Sequence, residues 1–223
     1  MRLTMRAFVF LFVGCFIVAL AGSAPSRAAY GQAVVQTVTV DAQANVFAAG
    51  VGGLKANGGG KKPTVIQFEP FKKQVLWFTN IAGKVSCCSG GSTFNGPEGG
   101  TNAGGSTDIQ SSGGISGIID KTRTMFLVGV FVGSPGPAAP GPARLDVTYS
   151  AGQTDIFPKL DQVFYIGRGT VLGGKTPQKF HVPQGANHLV LGFADAFSFN
   201  GSPGAYDDNQ GELTVKLRLT PTQ

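Results

Sequence analysis

No stretch of ten residues in this chain keeps an apolar period of 3.6 residues. Apolar residues come in short runs instead, cut by glycine and proline. Runs of about four to eight apolar or alternating residues between turn signals are strand signals. They stand at Ala33 to Val40 (AVVQTVTV), Pro63 to Pro70 (PTVIQFEP), Gln74 to Asn80 (QVLWFTN) and Met125 to Val132 (MFLVGVFV). They recur at Ala143 to Tyr149, Gln162 to Ile166, Gln178 to Val182, His188 to Phe193 and Glu212 to Leu219. About nine short strands with frequent turns predict an all-β sandwich or barrel. The unbroken run Met125 to Val132 is expected in the middle of a sheet, and Trp77 is expected to anchor the core.

The chain has 223 residues with 34 glycines and 17 phenylalanines, and 42% of it is apolar. Glycine supplies turns here rather than disorder, because the apolar fraction is enough to fill a core. Arg2 and Arg6 precede an apolar run, Ala7 to Ala21, that ends in small residues. That is the pattern of a signal peptide, read as residues 1–24 with cleavage between Ala21 and Ala28. The run is short for a membrane span of about 20 residues. The expected destination is therefore secreted or periplasmic, with no membrane segment after processing. Residues 31–223 are expected to form one domain. Two long loops interrupt it, a glycine-rich one at 82–114 and a proline-rich one at 134–142. The apolar residues of 45–60 (Val46, Phe47, Val51, Leu54) are expected to pack over an end of the sandwich.

The formal charge is +6, or +4 without Arg2 and Arg6. Basic residues are scattered, with no basic-aromatic stripe, so nucleic acid is not an expected partner. Cys15 falls in the leader, which leaves Cys87 and Cys88 side by side. In an oxidising compartment they can close a vicinal ring, pair with another chain or stay free, and the ring is favoured. His181 and His188 are the only histidines. Without a nucleophile elbow or a third ligand they support neither a triad nor a zinc site. Gly58 to Lys62 (GGGKK) lacks the spacing of a phosphate loop.

The C-terminal stretch carries the most chemistry. A strand ends at Asp195, Pro203-Gly204-Ala205-Tyr206 turns the chain, and Asp207-Asp208-Asn209-Gln210-Gly211 leads into the last strand. Carboxylates, an amide and main-chain carbonyls at a tight turn are the oxygen set that calcium takes, in numbers of about six to eight. Asp and Asn also favour plain turns, so the residues alone leave both readings open.

In this order of motifs the chain resembles the PA-IL-like calcium-dependent galactose-binding bacterial lectins, and most of all longer secreted bacterial proteins with the same ending. The resemblance also runs through Trp77-Phe78-Thr79-Asn80-Ile81-Ala82-Gly83-Lys84-Val85-Ser86-Cys87, Gly96-Pro97-Glu98-Gly99, Ser116-Gly117 to Gly133, Val163 to Gly167 and Val182 to Ala186. It implies a jelly-roll-like, galactose-binding-like sandwich. It also implies a Ca2+ site with side-chain ligands Asp195, Asp208 and Asn209 and main-chain ligands Ala205 and Cys87. A galactose-type sugar would contact Asp195, Tyr206, Asp208 and Asn209, with Phe197 or Phe199 packing on its apolar face. A homo-oligomer is the implied assembly. The chain departs from the short lectins by inserting Phe197 to Ser202 after Ala196, and it lacks their His-Pro element between Ser89 and Ser112. The expected function is a secreted calcium-dependent carbohydrate-binding protein, not an enzyme. The alternative is an exported structural or adhesive sandwich in which calcium is absent or only structural. A glycan-cleaving enzyme is a third class, resting only on the clustering of Asp195, Asp207, Asp208 and Glu212.

Overall fold

The computed structural model describes residues 33–50, 59–70, 73–88, 90, 93–172 and 174–222. The expected leader, Val51 and Leu54 lie outside the described residues. In chain order the strands are β1 (Val34–Asp41), β2 (Thr64–Gln67), β3 (Gln74–Ser86), β4 (Thr107–Ile109), β5 (Ile118–Asp120), β6 (Val128–Gly133) and β7 (Leu145–Asp146). They continue with β8 (Asp155–Ile156), β9 (Phe164–Tyr165), β10 (Lys179–His181), β11 (Ala186–Gly192), β12 (Asn200–Gly201) and β13 (Gln210–Pro221). The protein is all-β, with sheets ordered β1–β13–β3–β10–β8, β2–β11–β6–β9 and β12–β4–β5–β7. No helix among the described residues is long and apolar enough to cross a membrane.

β13 shows why this sequence makes strands. Leu213, Val215, Leu217 and Leu219 are buried, and Glu212, Thr214, Lys216 and Arg218 are exposed. A period of two places one row against the core and the other in water. β13 pairs antiparallel with β1 over the eight residues Glu212 to Leu219 and with β3 along its whole length. β6 is buried almost throughout, as its unbroken apolar run predicts. It lies between β11 and β9, and its outer side packs against the 3-10 turn Val46–Gly50. Val46, Phe47 and Ala48 are therefore buried over a face of the second sheet rather than at an end of the sandwich.

The first two sheets share one core, in the manner of a β-sandwich. Phe78 on β3 meets Phe180 on β10 edge-on at 5.3 Å. Phe180 meets Phe164 of the second sheet at 5.6 Å, and Phe164 stacks on Phe131 at 5.1 Å. This file of rings runs from one sheet into the other. The third sheet is small and carries a buried ion pair, Asp120 with Arg123, whose guanidinium lies 4.2 Å from the centre of the Tyr165 ring. Burial pushes the Tyr165 hydroxyl up to about 12.

Several expectations need correction. Thirteen strands among the described residues replace about nine, because β4, β5, β8 and β12 have only two or three residues. Strands so short have no periodicity to read; neighbouring backbone holds them. β3 does not stop at Asn80 but continues to Ser86, into the stretch expected as loop. Ala143 to Tyr149 contains only the two-residue β7. The proline-rich segment 134–142 packs backbone to backbone: a Cβ at Gly114 would lie 2.7 Å from Ala138 N, and one at Gly141 would lie 2.7 Å from Gly114 O. Trp77 is half-buried and is not in the core cluster. Its neighbours Leu76 and Phe78 point inward, so Trp77 faces outward.

Phe180→Ala removes the ring that joins the two halves of the aromatic file. It should cost about 3–5 kcal/mol in denaturant unfolding. Phe197→Ala, at a ring that is 84% exposed, should stay within about 0.5 kcal/mol.

Candidate functional site

The C-terminal loop is assembled from three parts of the chain. β11 leads to Phe193, whose backbone is bonded to both sides of the first turn: Phe193 N donates to Ala44 O (2.8 Å), and Val46 N donates to Phe193 O (3.2 Å). Two residues later stands Asp195, 2% exposed. The loop then returns through Tyr206 to Asp208, a 3-10 turn, and delivers Asn209 to the start of β13. The third part is the turn after β1, Ala42 to Asn45.

Asn209 links all three. Its Nδ2 donates to Asp195 Oδ2 (2.7 Å) and to Ala42 O (3.1 Å). Two acceptors on one side fix which end of the amide is nitrogen. Its Oδ1 is consequently left buried, with no hydrogen-bond partner among the described residues. Buried polar atoms without a partner are uncommon and costly.

Asp195 is equally unusual. Its Oδ1 accepts from Ala196 N (2.7 Å), and no cationic side chain pairs with it among the described residues. Burial pushes its carboxyl up to about 7, the nearby Asp208 pushes the same way, and the Asn209 and Ala196 donors pull against both. Asp208 is exposed. The structure thus brings together a desolvated carboxylate, an orphaned amide oxygen and an accessible second carboxylate.

The remaining expected site residues divide. Ala205 is exposed with φ +65°, and Gly204 N donates to Asp195 O (2.9 Å), which ties the turn to the strand end. Cys87 follows Ser86, which lies opposite Gln210 in the β3–β13 register, so it stands near the Asn209 end of the ladder. Its carbonyl accepts from Ser86 Oγ at 2.8 Å. Cys87 and Cys88 are disulfide-bonded to each other, Cα atoms 3.8 Å apart.

Tyr206 does not present a face to any ligand. It is fully buried; its hydroxyl donates to Phe193 O (3.1 Å) and accepts from Asp195 N (3.0 Å). The expectation of a sugar contact there is corrected to a structural bolt under Asp195. The insertion does not pull Asp195 away from Asn209: residues 200–201 form β12 beside β4, and Phe199 is buried. Phe197 stays exposed, and Phe94 is an exposed ring beside Gly211.

Sequence reasoning does not single out Gln43 and Gly60. Gln43 Nε2 donates to Asp207 O (3.1 Å) and Asn209 O (3.2 Å), and Gly60 N donates to Asp207 Oδ1 (2.9 Å). The polar residues of Asp41 to Asn45, set between alanines after a strand, were the available signal. Asp207 is thus held by backbone, while Asp208 stays in solvent. Of the histidines, His181 Nε2 pairs with Asp155 (2.8 Å) and His188 with Asn187 Oδ1 (2.6 Å), in different sheets. Among the described residues no three His, Cys, Asp or Glu side chains converge for a metal. A site built from two carboxylates, an amide and main-chain carbonyls falls outside that pattern.

Comparison with protein-family models, curated proteins and solved structures returns no match for this chain.

Because the Asp195 carboxyl is raised in the folded protein, the folded state holds a proton that the unfolded chain has released between about pH 4 and 7. Its contribution to metal-free stability is full at low pH and is lost as the pH rises toward 7, by up to about 1.4 kcal/mol per pH unit. Asp195→Asn should remove that part of the slope. Urea unfolding of both proteins in chelator at pH 5, 6, 7 and 8 measures it. The slopes are compared, since the new amide also faces the Asn209 donor. Equal slopes would mean the Asp195 carboxyl is not raised.

Proposed function

We propose that this protein is an exported, calcium-dependent carbohydrate-binding protein whose site is the loop of Asp195 and Asp207 to Asn209. The observation that carries the reading is the orphaned Asn209 Oδ1 beside a buried, cation-free Asp195 carboxylate. A hard divalent cation answers both at once. It gives the amide oxygen a partner and favours the charged carboxylate that burial disfavours. Asp195, Asp208 and Asn209 would hold it by side chains, and Ala205 and Cys87 by main-chain carbonyls. Cys87 O already accepts from Ser86, and a carbonyl keeps a second lone pair. Bound calcium would supply a positive centre at which vicinal sugar hydroxyls can take the place of water.

The sugar half of the proposal rests on the exposed rings. Phe94, beside Gly211, and Phe197, two residues past Asp195, offer apolar surface near the loop. The resemblance to the galactose-binding lectins makes a galactose-type ring the first ligand to try. Export is inferred from Arg2, Arg6 and the apolar run after them.

A second reading has its own support. Gln43, Gly60 and Tyr206 hold the loop with direct hydrogen bonds. An exported structural or adhesive sandwich, with calcium absent or acting only as a staple, uses the same features.

Unfolding with calcium and with chelator separates them. At about a hundredfold excess over its dissociation constant, calcium should raise stability by about 2.7 kcal/mol. Asp208→Ala, at an exposed side chain, should keep the fold and lose most of the rise. No rise at millimolar calcium would remove the metal and the lectin reading together. A rise without calcium-dependent retention on galactose-bearing resin would leave the staple.

A further inference from the structure

A second hollow lies at the far end of the β3–β13 ladder. It has a volume of about 550 Å3 and opens on the outer side of the first sheet. Its lining includes Lys73, Gln74, Val75, Trp77, Lys179 and His181. The volume is in the range of small-molecule sites, about 300–1,000 Å3. Trp77 lies opposite Arg218 in the ladder and Ser86 opposite Gln210, nine residues of strand apart. At about 3.3 Å per residue that is roughly 30 Å. The groove and the calcium loop are therefore separate places.

Three features of the groove bear on a ligand. Its charge is positive: Lys73 and Lys179 make no ion pair among the described residues, while the Asp155 carboxylate is taken by His181 Nε2 at 2.8 Å. Its surface includes flat rings, the half-exposed Trp77 and the imidazole of His181, which stacks on Phe157 at 4.1 Å. Its buried polar atoms are unsatisfied on both sides of the hydrogen bond. Gln74 is 4% exposed, and its Nε2 donates to Glu69 O, but its Oε1 has no partner among the described residues. Trp77 Nε1, a donor, has none either.

These needs select one kind of ligand. An inorganic anion matches the lysines but leaves the acceptor Gln74 Oε1 and the indole face without a role. A hydroxyl both donates and accepts, so hydroxyls can satisfy an orphan acceptor and an orphan donor together. A pyranose ring carries hydroxyls around an apolar C–H face that lies flat on an aromatic ring. A carboxylate on that ring matches the ammonium groups. We propose that this groove binds an acidic saccharide by a carboxylated pyranose unit, independently of calcium. The ring packs on Trp77, the carboxylate faces Lys73 and Lys179, and the hydroxyls face Gln74.

Trp77 is the only tryptophan in the chain, so intrinsic emission reports on this groove directly. The protein, kept in chelator, is titrated with a galacturonate disaccharide, with the neutral galactose disaccharide and with sulfate. The expected result is a saturable change in emission with the galacturonate. Binding should be at least tenfold weaker for the neutral sugar, and at least tenfold weaker again for galacturonate on the Lys179→Gln or Lys73→Gln variants, both at exposed residues. An absent emission change together with no heat in calorimetry would overturn the proposal. So would an equal response to sulfate, which marks a plain anion site, or to the neutral sugar. The chelator keeps this result separate from that of the calcium loop.

Discussion

The ladder between β3 and β13 is the constraint on which the rest of this structure depends. β13 carries β1 on its other edge, and β3 carries β10, so the register of one pair of strands sets the whole first sheet. Near the loop end the two strands approach closely through glycines on both sides. A Cβ at Gly83 would lie 2.3 Å from Glu212 O, and one at Gly211 would lie 2.3 Å from Lys84 O. Their φ values, +114° and +93°, belong to the region that glycine enters freely. A side chain at either place would push the strands apart where Ser86 faces Gln210. Cys87 and Asn209 would then lose their neighbourhood. The loop is accurate because the ladder behind it is tight.

Electrostatics at the loop follow from that accuracy. The Asp195 carboxylate is carried out of water by a strand end that has no freedom to retreat, with Tyr206 bolted beneath it and Asn209 across it. The burial that raises its affinity for protons is also the cost that a cation in the proposed site would offset. A desolvated negative charge accepts whichever positive species arrives. The outer groove has the opposite sign, with Lys73 and Lys179, unpaired among the described residues, beside Val75, Trp77 and Val182. One ladder has a buried carboxylate by one end and exposed ammonium groups by the other.

Much of the fold was legible because strand periodicity is a local property. β13 alternates without a break, and β6 is apolar throughout, so each could be placed from its own residues. β4, β8 and β12 could not, since two or three residues carry no period and their pairing belongs to distant partners. Trp77 shows a second limit. Its size suggested the core, but its parity in β3 turned it outward, and parity depends on a register that the sequence does not state. At the loop, turn chemistry and the order of motifs singled out Asp195, Asp208 and Asn209. They did not separate Asp207, whose carboxylate is bound to Gly60 N, from Asp208, which is not. Nor did they show that Tyr206 points into the protein. Such distinctions arise from contacts with Gln43, Gly60 and Phe193, far away in the chain.

The pairing of Cys87 with Cys88 has a consequence for how copies of this protein could associate. Each cysteine's disulfide partner is its immediate neighbour, and Cys87 is buried as well. Beyond residue 15 the chain has no other cysteine. With that ring closed, no cysteine thiol in residues 16–223 is left to form a disulfide with a second molecule. Any assembly built from this part of the chain would rest on non-covalent contacts, and its subunits could separate without a disulfide being reduced.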